Sequence, residues 1–141
     1  RGVKTGPAIC YEGLYGDFFG DFVRRGAQFM AIISNDGWWG DTPGYKHLFT
    51  ISRLRAIEHR RAIARSANTG MSGFISARGD IGQTLGWEKR GVFTAAVPLN
   101  SELTFYTRYG DYLGRISEYL MLLCVLYYIA YRAKKKNHLV K

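Results

Sequence analysis

Phe29-Met30-Ala31-Ile32-Ile33-Ser34-Asn35-Asp36-Gly37-Trp38-Trp39-Gly40 is the stretch on which the fold turns. Its first five residues are apolar throughout, the pattern of a buried strand rather than of a half-exposed one. From Ser34 to Gly44 the chain is dense in turn formers, so the strand gives way to a loop. Working toward the N-terminus, residues 13–25 place Leu14, Phe18, Phe19, Phe22 and Val23 at intervals that mark one helical face. Gly26 is a natural stop for that helix. Residues 6–10 form another short apolar strand, ending at Cys10. Working toward the C-terminus, residues 46–64 predict a long helix. Leu48, Ile51, Leu54 and Ile57 give it an apolar stripe, and Arg53, Arg55, Glu58, Arg60 and Arg61 give it charge. A turn is expected over 66–70, a strand over 72–77, a hairpin connection over 78–82 and a last strand over 91–99. The order β-α-β-α-β-β makes the class α/β, or layered α+β. There is no internal repeat.

The 141 residues suit one domain with its own core, and 47% hydrophobic with 15% aromatic residues is too rich for a disordered tail. The chain opens without Met and without a charged-then-apolar leader, so a segment of a longer chain is expected. The formal charge is +9, and Arg132, Lys134, Lys135, Lys136 and Lys141 contribute five of those charges with no acid among them. A basic terminus without zinc-finger, recognition-helix or RNA-binding signatures points to an anionic surface rather than to nucleic acid.

The texture changes at Leu113. Residues 113–131 are apolar and aromatic, close to the ~20 residues that a spanning helix needs. Arg115 and Glu118 fall in its first turns, within reach of an interface, and the tyrosines near the basic end suit an aromatic belt. The competing reading is an amphipathic core helix with a solvated tail; the membrane helix is favoured.

Two cysteines in such different settings, Cys10 and Cys124, do not suggest a disulfide. No paired His or Cys spacing suggests a metal, and His47, His59 and His138 read as ordinary residues. Cys10, between a buried strand and a helix, is open to two readings: a nucleophile, whose reactive form is the thiolate, or a small packed hydrophobe. Glu12, two residues on, can relay a proton or orient a partner. Trp38 and Trp39 either line a substrate pocket or cap the core. The arginines of 53–65 could bind phosphate, but an ion-paired or solvated face is the more ordinary outcome.

Four segments in this order carry a family resemblance. Ile9-Cys10-Tyr11-Glu12, Ser34-Asn35-Asp36-Gly37-Trp38-Trp39-Gly40, Arg55-Ala56-Ile57-Glu58 and Arg65-Ser66-Ala67-Asn68-Thr69-Gly70 resemble the C-terminal half of the carbon–nitrogen hydrolase (nitrilase) domain. The paired aromatics after Asn-Asp and the terminal apolar helix are similar to the version in bacterial apolipoprotein N-acyltransferases. The resemblance implies half of an αββα sandwich over residues 1–112 and a transmembrane helix over 113–132; by the positive-inside tendency the basic tail over 133–141 is then cytoplasmic. It implies a Glu-Lys-Cys triad in which Cys10 matches the nucleophile. The family's Glu and Lys precede that cysteine, and neither Lys4 nor Glu12 matches them. Glu12 matches a supporting residue, and Tyr11 and Trp38 match pocket positions. Trp39, on the same loop, joins them as a substrate-binding residue. The implied activity is acyl transfer from a membrane phospholipid, through a cysteine thioester, to an apolipoprotein, at the bacterial inner membrane and without metal or organic cofactor. The alternative is a soluble nitrilase or amidase acting on a small amide or nitrile, or an inactive piece.

Overall fold

A computed structural model describes residues 2–139. The chain divides into two compact units, with the boundary between Gly110 and Asp111. In the first, β1 (Thr5–Ile9), β2 (Phe29–Ser34), β3 (Ile63–Ala67), β4 (Ser72–Ile75) and β5 (Ile81–Leu85) lie side by side in sequence order. The first three are parallel; β4 and β5 join them antiparallel. The parallel crossovers carry α1 (Gly16–Arg24) and α2 (Pro43–His59), and the short α3 (Phe105–Tyr109) follows later. This is an α/β sheet of the expected class.

Alternation along the strands sorts the two faces. Ala8, Met30, Ile32 and Ile63 are buried with Phe19 and Val23 of α1 and Phe49 and Ala56 of α2. The helices therefore cover one face of the sheet. On the other, Ile9 and Ile33 are exposed. They are also paired in register, so β1 and β2 finish together and release Cys10 and Asn35 at the same edge.

Four expectations need correction. The first strand stops at Ile9, and Cys10 opens a 3-10 turn, Cys10–Leu14, rather than ending the strand. The long helix is Pro43–His59, not 46–64: Arg60 adopts a left-handed conformation that ends it, and Ile63 and Ala64 are already strand. The expected turn at 66–70 consequently begins after β3. The buried face of α2 is also not the apolar stripe. Of the stripe, Leu48 is buried and Ile51 half-buried, but Leu54 and Ile57 are exposed, whereas Tyr45, Phe49, Ser52, Arg55, Ala56 and His59 are buried. Arginine and histidine with internal partners can occupy a core face that hydropathy assigns to solvent. Finally, 91–99 forms no strand ladder. Phe93 packs edge-on against Phe74, and the segment's next backbone tie is Asn100 N–H donating to Gln28 O at 3.1 Å.

In the second unit, α4 is continuous over Tyr112–Leu139. Within it, Tyr112–Arg132 is long and apolar enough to cross a membrane, with a mean hydropathy of 1.4. The basic stretch expected as a tail thus begins as further turns of the same helix. Lys141 lies outside the described residues, as do the side chains of Lys136 and His138.

Candidate active site

A half-exposed cysteine with φ of +53° is the sharpest local feature of the chain. Side chains with a Cβ rarely adopt that conformation, and a strand-to-helix bend of this kind presents a side chain at the end of a sheet. The bend is closed from within. The Glu12 carboxylate reaches back to accept from Ile9 N–H at 2.7 Å, and Tyr15 N–H donates to Glu12 O at 3.2 Å. Glu12 therefore shapes the turn that carries Cys10. The Cys10 sulfur lies 4.0 Å from the backbone oxygen of Asn35.

Tyr11 and Trp39 stand beside this bend. Their ring centroids are 6.4 Å apart, tilted at 56°. Tyr11 is 46% exposed, Trp39 39% and Trp38 82%. Trp38 does not cap the core. Trp39 lies over Gly44, where any side chain would run into its indole. Its carbonyl accepts from Thr42 Oγ1 at 2.7 Å, and Thr42 caps α2. Cys10, Tyr11, Glu12 and Trp39 thus gather at the ends of the parallel strands, with Trp38 at the exposed rim of the loop.

The residue that sequence reading missed is Asp36. It is fully buried, and it accepts from both Arg65 terminal nitrogens at 3.0 and 3.1 Å and from Ser34 Oγ at 2.6 Å. Arg65 also donates to Met71 O, and its guanidinium carbon sits 6.0 Å from the Phe49 ring centroid. Gly70 is required here because a Cβ would collide with the Asp36 carboxylate. The only sequence signal was that Asp36 and Arg65 each belong to a family-like motif.

Helix α2 supports the bend from below. Arg55 donates to Leu14 O at 3.3 Å and to Glu58 at 3.1 Å. His59, fully buried, makes one contact with Gly16 O at 3.1 Å and one with Thr107 Oγ1 at 2.9 Å. A carbonyl only accepts, so the proton sits on Nε2 and Nδ1 accepts from the threonine hydroxyl. Burial pulls the His59 pKa down from 6.5 to about 4; the Gly16 carbonyl opposes this, and the Arg55, Arg24 and Arg61 charges reinforce it. Arg61 is buried too and donates to the carbonyls of Ala27, His59, Arg60 and Glu102. The arginines that could have offered a phosphate site are largely spent on internal acceptors. Among the described residues, no three His, Cys, Asp or Glu side chains come together as metal ligands.

Comparison with known proteins matches this geometry. Residues 1–103 fit the family model described as carbon-nitrogen hydrolase. An apolipoprotein N-acyltransferase of Chlorobaculum tepidum is 45% identical over 109 residues, covering 77% of this chain and 20% of that protein. One from Bdellovibrio bacteriovorus is 37% identical over 127 residues, covering 88% of this chain and 22% of that protein. The chain therefore spans about a fifth of the length of these relatives. Among solved structures, Nit3 of Saccharomyces cerevisiae, a member of the nitrilase superfamily, superposes with a TM-score of 0.54 at 21% identity, over 61% of this chain and 34% of that one. The C. elegans NitFhit protein superposes with a TM-score of 0.52 at 24% identity, over 59% and 22%. With its sheet, its cysteine-bearing bend and a family match over most of its length, the chain belongs to the carbon–nitrogen hydrolase family.

Proposed function

We propose that this chain carries the nucleophile of a membrane-bound N-acyltransferase that modifies lipoproteins. The observation that carries the reading is the Cys10 bend: a half-exposed sulfur at the strand ends, flanked by Tyr11 and Trp39, in a chain similar to apolipoprotein N-acyltransferases. The Cys10 thiolate attacks the ester carbonyl of a phospholipid. The carbon–oxygen bond breaks, the lysophospholipid leaves with a proton, and a thioester remains. The N-terminal amine of a diacylglyceryl-cysteine then attacks the thioester. The carbon–sulfur bond breaks, an amide forms and the thiol returns. Two such steps replace one difficult displacement.

Glu12 supports the reaction by holding the bend closed. Tyr11, Trp38 and Trp39 offer apolar ring surface to an acyl chain. The general base and the cationic donor for the tetrahedral oxyanion come from the family's Glu and Lys, which match no residue here. Residues 1–112 serve as part of the catalytic domain on the periplasmic side of the inner membrane, 113–132 as the span and 133–141 as a cytoplasmic tail. The 141 residues alone form no acyl-enzyme.

The test is Cys10→Ala in the full-length protein. Loss of the mass-shifted acyl-enzyme with membrane insertion intact is expected. Acylation that persists in that variant removes Cys10 from the role, and release of the full-length protein by a salt wash favours a soluble amidase.

A further inference from the structure

We infer that the buried Arg65–Asp36 pair is a positioning element for the nucleophile, fixing the Asn35 carbonyl against the Cys10 sulfur. The inference rests on the reading of Cys10 as nucleophile.

Asn35 is itself exposed, but its two neighbours are not. Ser34 and Asp36 are buried and bonded to each other at 2.6 Å, so the peptide between them is held at both ends. The Asn35 side chain accepts from Gly37 N–H at 3.2 Å and tightens the turn on its far side. The orientation of the whole loop then depends on what grips Asp36, and that is Arg65 on β3. One guanidinium spans both Asp36 oxygens and the Met71 carbonyl, tying the loop after β2 to the loop after β3. The Asn35 oxygen sits 4.0 Å from Cys10 Sγ, within reach of the thiol hydrogen.

Stability alone does not account for this arrangement. A buried ion pair recovers little more than the cost of desolvating its charges, and apolar residues of similar volume often serve a core as well. A planar fork supplies direction, which a hydrophobic contact does not. Here the direction is transmitted across one peptide to the sulfur. A nucleophile displaced by a fraction of an ångström loses rate without losing substrate affinity.

Arg65→Lys keeps the charge and removes the fork. In the full-length enzyme, kcat is expected to fall about tenfold with the KM for phospholipid unchanged. Alkylation of Cys10 by iodoacetamide at pH 7, read on the Cys10 peptide by mass spectrometry, is expected to rise about threefold as the sulfur loses its carbonyl partner. Unfolded chain would also lower kcat and expose the thiol, so both readouts are taken per folded protein, with the folded fraction read from each variant's thermal unfolding curve; changes that vanish on that correction overturn the inference. Ser34→Ala removes one bond to Asp36 and perturbs folding less; it is expected to shift both readouts in the same senses, by about twofold. Parental kcat and alkylation in Arg65→Lys overturn the inference. If that variant does not accumulate, parental values in Ser34→Ala overturn it instead. The alkylation readout needs no turnover, so persistence of acyl-enzyme in Cys10→Ala defeats the nucleophile reading separately.

Discussion

A methyl group at position 70 has nowhere to go, because the Asp36 carboxylate already fills that space. Gly70→Ala should push Asp36 off Arg65 and cost about 2–3 kcal/mol, a combination of overpacking and a disturbed buried charge. Gly86→Ala, where nothing lies within 4 Å of the added carbon, should stay within about 0.5 kcal/mol of the parent. Thermal midpoints of the two variants side by side check both. This contrast also shows what the sequence could disclose at the scale of single residues. The place of Cys10 was legible, since Cys-Tyr-Glu follows an apolar run and the cysteine does stand where β1 gives way to a turn. The role of Asp36 was not. An aspartate followed by glycine in a polar loop reads as a solvated turn former. Its burial depends on an arginine 29 residues later. No local rule carries that distance.

At the scale of elements, α2 illustrates the same limit and yields two predictions. The helix was legible from its spacing; its inner face and its end were not. Hydropathy nominated Leu48, Ile51, Leu54 and Ile57; the core kept Leu48 but passed over Leu54 and Ile57 for Arg55 and His59, because Leu14 O, Gly16 O and Thr107 were there to receive them. The end falls at Arg60, in a left-handed conformation with φ of +51°. A glycine is at ease there, so Arg60→Gly should raise stability by about 0.5–1 kcal/mol, visible as a higher thermal midpoint. His59 gives the pH dependence. Its folded pKa is depressed from 6.5 to about 4, so between those values the unfolded chain binds a proton that the folded chain resists. The contribution is complete above pH 6.5 and is lost as pH falls toward 4, on the order of 3 kcal/mol in all. Thermal midpoints from pH 7 to pH 4 should therefore decline, and His59→Gln should flatten that decline. An equal decline in both proteins would show that His59 is not its source.

At the scale of the whole molecule, the sheet and α4 make different demands on their surroundings. Two strands of the parallel core, β1 and β2, were legible as apolar runs on either side of a helix; β3 was not, because Arg65 and Ser66 interrupt its apolar pattern. The segment 91–99 was not, because alternation predicts a strand without saying whether a neighbouring strand is there to pair with it. For α4 the decisive quantity is length. The 21 residues of Tyr112–Arg132 rise about 1.5 Å each, roughly 31 Å, against a hydrocarbon core of about 30 Å. Leu120, Leu123 and Leu126 are exposed along it, as side chains facing lipid would be. Where the apolar window closes, Tyr127 and Tyr131 stack at 6.5 Å, and Arg132 lies 5.6 Å from the Tyr128 ring centroid. An amphipathic collar followed by cations is what a helix end needs at a headgroup layer. The prediction is that residues 112–139, fused ahead of a reporter that fluoresces only in the cytoplasm, resist alkaline carbonate extraction and light the reporter. Exchanging Arg132, Lys134 and Lys135 for Gln should leave extraction resistance in place but dim the reporter, because burial of the apolar window holds the helix in the bilayer whereas the charges choose which end stays inside. Release of the parent fusion into the carbonate supernatant would rule out a spanning α4, and with it the periplasmic placement of the Cys10 domain.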